Sequence, residues 1–234
     1  MIVFLIVSVI IWKIGKKALN LRFFMTYYHY INNGRGPKKL FIGGLHGNEG
    51  KTSFHFLKDL KKEDFSNGQI FIVNFDKSEY ISTLKKNYYE SAIGRKVISL
   101  IKTIKPDFYI ELHCYNIKNF KKLTSKDRMN FDGVPPLIDI GDFILVSSVS
   151  PYIRLKYLQR ETICKTLEFP CFDKLEDNID MKKSINRYND FIKLLSIAKS
   201  RKNFEKEVVA KYPNESNLAI KYTKEIFGSD FPIF

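Results

Sequence analysis

A histidine and a glutamate three positions apart, His46 and Glu49, lie in the run Gly43-Gly44-Leu45-His46-Gly47-Asn48-Glu49-Gly50, directly after the apolar segment Leu40-Phe41-Ile42. Imidazole nitrogens and carboxylate oxygens are ligands for a cation such as zinc, and a strand-to-helix turn presents two side chains at this spacing together. The flanking glycines permit a tight turn and close backbone approach. A third ligand is available at His113, in Ile110-Glu111-Leu112-His113, where a second apolar run ends in polar residues. Glu111, two positions before His113, shares its strand face and can either accept a hydrogen bond from the imidazole or form an ordinary salt bridge. A third segment, Cys164-Lys165-Thr166-Leu167-Glu168-Phe169, alternates with period two and stops before Pro170. Glu168 is then either a general base beside the cation or a solvated carboxylate at a strand end.

Taken together, Gly-x-His-Gly-Asn-Glu at 44–49, acidic-Leu-His at 111–113 and Thr-x-Glu at 166–168 resemble the zinc carboxypeptidase superfamily, in the style of its succinylglutamate desuccinylase and aspartoacylase branch. The likeness covers residues 40–172. Residues 36–50, with Ser147, Val149, Ser150 and Pro151, are also similar to an uncharacterised archaeal subgroup of that superfamily. The resemblance implies a zinc ion held by His46, Glu49 and His113, and Glu168 handling the proton of a metal-activated water. It implies hydrolysis of an amide or peptide-type bond, as in deacylases and carboxypeptidases.

The chain departs from the pattern where such enzymes carry an Asn-Arg pair and further arginines to grip the substrate carboxylate. Lys85-Lys86-Asn87-Tyr88 stands in that region, and the nearest arginine is Arg95. Lys85, Lys86, Asn87 and Arg95 are the candidate substrate contacts. Lysine lacks the planar fork of arginine, which argues against a carboxylate-terminated substrate.

These side chains need a scaffold. Strands are expected over residues 40–43, 69–74, 108–113, 143–149 and 163–169. Between them, residues 48–60 place Phe54, Leu57 and Leu60 on one helical face, and residues 91–104 do the same with Val97, Leu100, Ile101 and Ile104 before Pro106. The alternation predicts an α/β fold with a mostly parallel sheet, helices on both faces and the ligands at the carboxyl ends of the strands. Residues 116–136, polar and basic, read as a lid beside the site. Residues 181–202 and 204–227 read as amphipathic helices, a helical C-terminal extension where the deacylase branch usually adds a β-rich domain. The expected division is an N-terminal apolar extension or anchor at 1–24, an α/β domain at 25–175 and helices at 176–234.

The 234 residues allow one sizeable core. Cys114, Cys164 and Cys171 are odd in number and scattered, so no disulfide framework follows from them, and the count fits a reducing cytoplasm. A net charge of +14 invites nucleic acid as a partner. The lysines are spread through the chain and no nucleic-acid-binding motif accompanies them, so the expected partner is a small-molecule or peptide substrate. A phosphate-binding loop at Gly50-Lys51-Thr52 fails by one position of spacing, and Glu49 would place negative charge against the phosphates. Residues 1–12, apolar apart from Ser8, fall short of the ~20 residues of a spanning helix. They are read as a helix on the domain, an upstream start before Met25, or an anchor that associates an otherwise cytoplasmic protein with a membrane through residues 1–20. The alternative to an enzyme is a catalytically inactive metal- or ligand-binding module on the same fold.

Overall fold

The computed structural model describes residues 25–174 and 179–233. In chain order these form β1 (Met25–Asn32), β2 (Lys38–Gly43), α1 (Gly50–Leu57), β3 (Gln69–Phe75), α2 (Ala92–Ile104) and β4 (Phe108–Tyr115). Next come two short helices, α3 (Phe120–Thr124) and α4 (Arg128–Asp132), then β5 (Ile138–Asp139), β6 (Leu145–Ser147), α5 (Pro151–Lys156) and β7 (Ile163–Pro170). Three helices follow: α6 (Met181–Ile197), α7 (Arg201–Lys211) and α8 (Pro213–Phe227).

Seven strands form one sheet in the order β1-β3-β2-β4-β7-β6-β5. The pairings among β3, β2, β4 and β7 are parallel, whereas β1–β3, β6–β7 and β5–β6 are antiparallel. The sheet is therefore mixed, which corrects the expectation of a mostly parallel one. The reason lies at the margins. β5 and β6 are joined by a tight turn through Asp142 (φ 55°) and Phe143 (φ 63°), far too short for the crossover that parallel neighbours require. β1 carries Tyr27, Tyr28, His29 and Tyr30 in succession, so no alternation of apolar and polar residues marks it as a strand.

The pleat sorts the core. Phe41, Ile70, Ile72, Phe108, Ile110 and Leu167 cluster with Phe56 and Leu57 of α1, with Tyr188, Phe191 and Leu195 of α6, and with Phe204 of α7. Leu40, Ile42, Val73 and Tyr109 point the other way and meet Ile93, Val97, Ile101 and Ile104 of α2. Helices thus cover both faces, and each fully buried side chain of this size contributes about 1.5–3 kcal/mol. Ser91 starts α2 by accepting from Gly94 N (3.1 Å), and Lys105 ends it in the left-handed region (φ 51°) before Pro106. The C-terminal residues form three helices rather than two because Ser200 caps α7 by accepting from Asn203 N (3.2 Å) and Pro213 opens α8.

Lys39 is fully buried on β2. Its Nζ donates to Leu195 O (2.9 Å), Ser66 Oγ (3.3 Å) and Ser196 O, capping the carbonyl end of α6. Burial pushes this ammonium down to about 7, against about 10.4 in an unfolded chain. Between those values the unfolded state binds the proton and the folded state does not, so stability rises with pH, at up to about 1.4 kcal/mol per unit. Urea midpoints should therefore rise from about pH 7.5 to about pH 9.5, and rise less in Lys39→Met. Equal gains in the two proteins would show that Lys39 stays protonated across the range.

The expected membrane association is corrected: among the described residues no helix is long and apolar enough to cross a membrane. The apolar run at 1–24 lies outside the described residues.

Candidate metal centre

The first two ligand candidates are set by how β2 ends. Gly44 has φ +71°, and a Cβ there would stand 1.8 Å from Phe75 O, so only glycine lets the chain leave β2 past β3. The turn that follows is closed by Glu49, whose Oε1 accepts from His46 N (3.0 Å). Glu49 is buried, and His46 is partly exposed.

β4 lies beside β2, with Leu112 level with Gly43, which carries His113 to the same edge. His113 Nδ1 stands 3.2 Å from Glu49 Oε2 and His46 Nδ1 stands 3.7 Å from it. One ligand atom from each of His46, Glu49 and His113 lies within 4.8 Å of the others. Glu111 Oε2 faces His113 Nε2 at 3.2 Å. Glu111 also accepts from Tyr109 Oη (2.8 Å) and Thr166 Oγ1 (3.4 Å), so it is held by three partners and orients the ring. On β7, Glu168 is the register partner of His113.

Charge in the cluster is tightly coupled. Burial would lower His113, but the carboxylates of Glu49 and Glu111 on either side of its ring push it well above its ordinary value. Burial would raise Glu49, yet His113 and His46 reverse that and hold it low. His46 is lowered, chiefly by burial. Burial, reinforced by Glu49 and Glu111, pushes the Glu168 carboxyl up to about 7, against His113 and Arg128, which pull it down.

The donor set fits a cation. Three carboxylates, Glu49, Glu111 and Glu168, surround one imidazole whose two nitrogens each face a carboxylate, and a proton on His113 is the charge that offsets Glu49. A metal ion bound by Glu49 and the two Nδ1 atoms would take over that offset, while Nε2 keeps donating to Glu111. His46, Glu49 and His113 form a group able to hold a metal ion.

These residues line a cleft of about 630 Å³ together with Glu168, Tyr80 and Arg128. Tyr80 lies edge-on to the His46 ring, 5.4 Å between centroids. The residues read as a lid contribute Asn116, Lys122 and Pro135, and α8 contributes Ser216 and Ile226. Lys85, Lys86, Asn87 and Arg95 are exposed and do not line the cleft; Ser82, Thr83 and Leu84 line it instead. Tyr88, standing where an arginine was expected, is buried and donates from Oη to Leu45 O (3.0 Å), bracing the turn behind His46. Lys51 is exposed and Glu49 faces the histidines, an arrangement unlike a phosphate cradle. Arg128, like Tyr80, is a cleft residue that sequence reasoning missed, and the one signal for it was an arginine within the long basic segment 116–136.

The cysteine expectation is corrected. Cys114 and Cys171 form a disulfide across 57 residues, Cα–Cα 4.9 Å. Pairing of β4 with β7 sets Cys114 beside Phe169, and Cys171 N then donates to Tyr115 O (2.9 Å). The bond thus ties together the ends of the strands that carry His113 and Glu168. Cys164 is a buried free thiol.

Fold and site define an α/β protein with a mixed seven-stranded sheet and a cleft carrying a histidine-glutamate-histidine group able to hold a metal ion. The chain belongs to the family described as uncharacterized protein conserved in archaea (DUF2119), whose model matches residues 34–228. It is 47% identical over 148 residues to an uncharacterized protein of Methanocaldococcus jannaschii, covering 61% of this chain and 71% of that one. Among solved structures it is similar to a metallo-carboxypeptidase from Pseudomonas aeruginosa in complex with (2-guanidinoethylmercapto)succinic acid. That likeness has 10% identity and a TM-score of 0.40, and it covers 79% of this chain and 60% of the enzyme's. A bacteriophage poly-gamma-glutamate hydrolase is similar with 11% identity and a TM-score of 0.28, over 76% of this chain and 92% of that one.

Proposed function

We propose that the protein is a zinc-dependent hydrolase of an amide or peptide-type bond in a small-molecule or peptide substrate. The observation that carries this reading is the gathering of His46, Glu49 and His113 in one cleft with Glu168 beside them. Two imidazoles and a carboxylate are a ligand set that zinc uses in hydrolytic sites. When bound, zinc supplies a Lewis acid that polarises a carbonyl and eases deprotonation of water.

The chain's own residues supply the rest. Glu111 fixes the His113 ring through Nε2, so that Nδ1 is presented to the cleft. Glu168, held up to about 7, takes a proton from the attacking water and returns it to the leaving amine. A carboxyl tuned to that region can do both near neutral pH. Arrival of a cation beside it would move Glu168 toward the ionised form, the state that accepts the proton. The motifs at 44–49, 111–113 and 166–168 support assignment to the zinc carboxypeptidase superfamily, with the deacylase branch as the expected relative.

The full chain, purified without chelator, should carry close to one zinc per protein by elemental analysis. His46→Ala, Glu49→Ala and His113→Ala should each lose it. Wild-type protein should hydrolyse at least one member of a panel of N-acyl amino acids and short peptides, and a chelator should stop it. Full metal content in all three variants would sink the site. Bound zinc with no turnover across the panel would favour the binding-module reading.

A further inference from the structure

We propose that the arm of the cleft walled by α8 binds an aliphatic acyl chain, so that the amide cleaved at the metal centre carries a chain of medium length; this rests on the hydrolase reading above and narrows it. α8 turns one face to the cleft: Ser216, Ala219, Thr223 and Ile226, flanked by Tyr222 and Phe227, line it at the three- and four-residue spacing of a single helical stripe. A helix of 15 residues takes most of its stability from burying such a stripe. In α8 only Ser216 is buried, so the rest of the stripe faces the cleft in place of the core. Ser216 Oγ donates to Val208 O (3.4 Å), which engages that hydroxyl within the helical layer.

The opposite walls are apolar too. Ile140 and Val146 come from the β5–β6 hairpin, Phe191 from α6 and Val208 from α7, and all four belong to one apolar cluster against which Ala219 of α8 also packs. Lys165 lines the cleft from the face of β7 that carries Leu167 and Phe169. Burial pushes its ammonium down to about 7, which marks a surrounding of low polarity. Glu215 brings its charge only to the first turn of α8. From Ser216 to Ile226 the stripe runs about 15 Å along the helix, and the cleft as a whole holds about 630 Å³, far more than an acetyl group needs. The stripe and the metal group share that cleft, so a chain lying along α8 belongs to the molecule whose amide reaches His46, Glu49 and His113. α7 and α8 are built from residues 201–227, beyond the 40–172 that carry the superfamily resemblance, so the arm is a feature of this chain's own C-terminal helices.

The test uses the full chain loaded with zinc, titrated calorimetrically with the acetyl, butyryl, hexanoyl and octanoyl amides of glycinamide, whose neutral head stays constant while the chain grows. Burial of each methylene should tighten binding about fourfold, so octanoyl should exceed acetyl by at least about 100-fold. Ala219→Phe and Thr223→Phe, which fill the arm at neighbouring turns of α8, should each cut that ratio below about tenfold. Leu218→Phe, on the exposed side of α8, should keep it. Melting curves and zinc content show whether each variant is folded. Independently of any variant, an octanoyl analogue with a diazirine at the chain end should label wild-type protein within residues 213–227. A flat series in wild type would overturn the proposal, as would labelling confined to other segments. A ratio that survives in both arm-filling variants would do the same. So would a wild-type dimer in sedimentation that Ala219→Phe dissociates, which gives the stripe to a second copy of the chain. No titration depends on turnover. Chain-length dependence without hydrolysis removes the hydrolase reading and keeps the arm, and hydrolysis with a flat series does the reverse.

Discussion

Glu168→Gln leaves zinc content and folding near wild type and slows hydrolysis of a panel substrate by about 10²- to 10⁴-fold. The substitution keeps the size and hydrogen-bonding shape of the side chain and removes its capacity to take a proton. Glu168 reaches the site as the register partner of His113 and is absent from the group whose ligand atoms converge within 4.8 Å. Its loss should therefore spare the metal. Glu111→Gln is the contrasting variant: Glu111 holds the far nitrogen of His113, so its change should weaken metal retention by about 10- to 100-fold before it alters the chemical step. Equal turnover by wild type and Glu168→Gln, with zinc present in both, would remove Glu168 from the mechanism.

The second large effect concerns stability. Cys114→Ser with Cys171→Ser opens a loop of 57 residues, and the chain-entropy account assigns such a closure about 4 kcal/mol. For a chain of this length that corresponds to a fall in melting temperature of roughly 8–16 °C. The eight-residue pairing of β4 with β7 should still hold His113 and Glu168 together in the folded protein, so zinc content below the transition should persist. Dithiothreitol should lower the melting temperature of wild type and leave that of the double variant unchanged. A double variant melting within about 2 °C of wild type would show that the bond contributes little.

How much of this could be read in advance depended on whether the signal was local. His46 and Glu49 sit within one turn, and Glu111 with His113 within one strand, so spacing alone grouped each pair. The joining of the two pairs needed only that apolar runs become neighbouring strands. β1 escaped notice because its consecutive aromatics carry no period-two pattern. The Cys114–Cys171 bond escaped because strand pairing, invisible in composition, brings together residues 57 apart. Arg128 lines the cleft while Lys85, Lys86, Asn87 and Arg95 lie exposed outside its lining for a related reason: which polar side chain enters a cleft is decided by loop path, and neither periodicity nor spacing encodes that path.

The pairing of His113 with Glu168 also makes the site sensitive to insertions and deletions in a way that ordinary substitution would not reveal. Side chains on β7 alternate between two faces, and Leu167 and Phe169 on either side of Glu168 belong to the apolar core. One residue added upstream within β7 would turn the carboxylate into that core and present leucine to the cleft at nearly unchanged composition. Two added residues would restore the face but displace the group by about 6.6 Å along the strand, beyond reach of its partners. The length of the segment from 163 to 168 thus sets where Glu168 stands against His113.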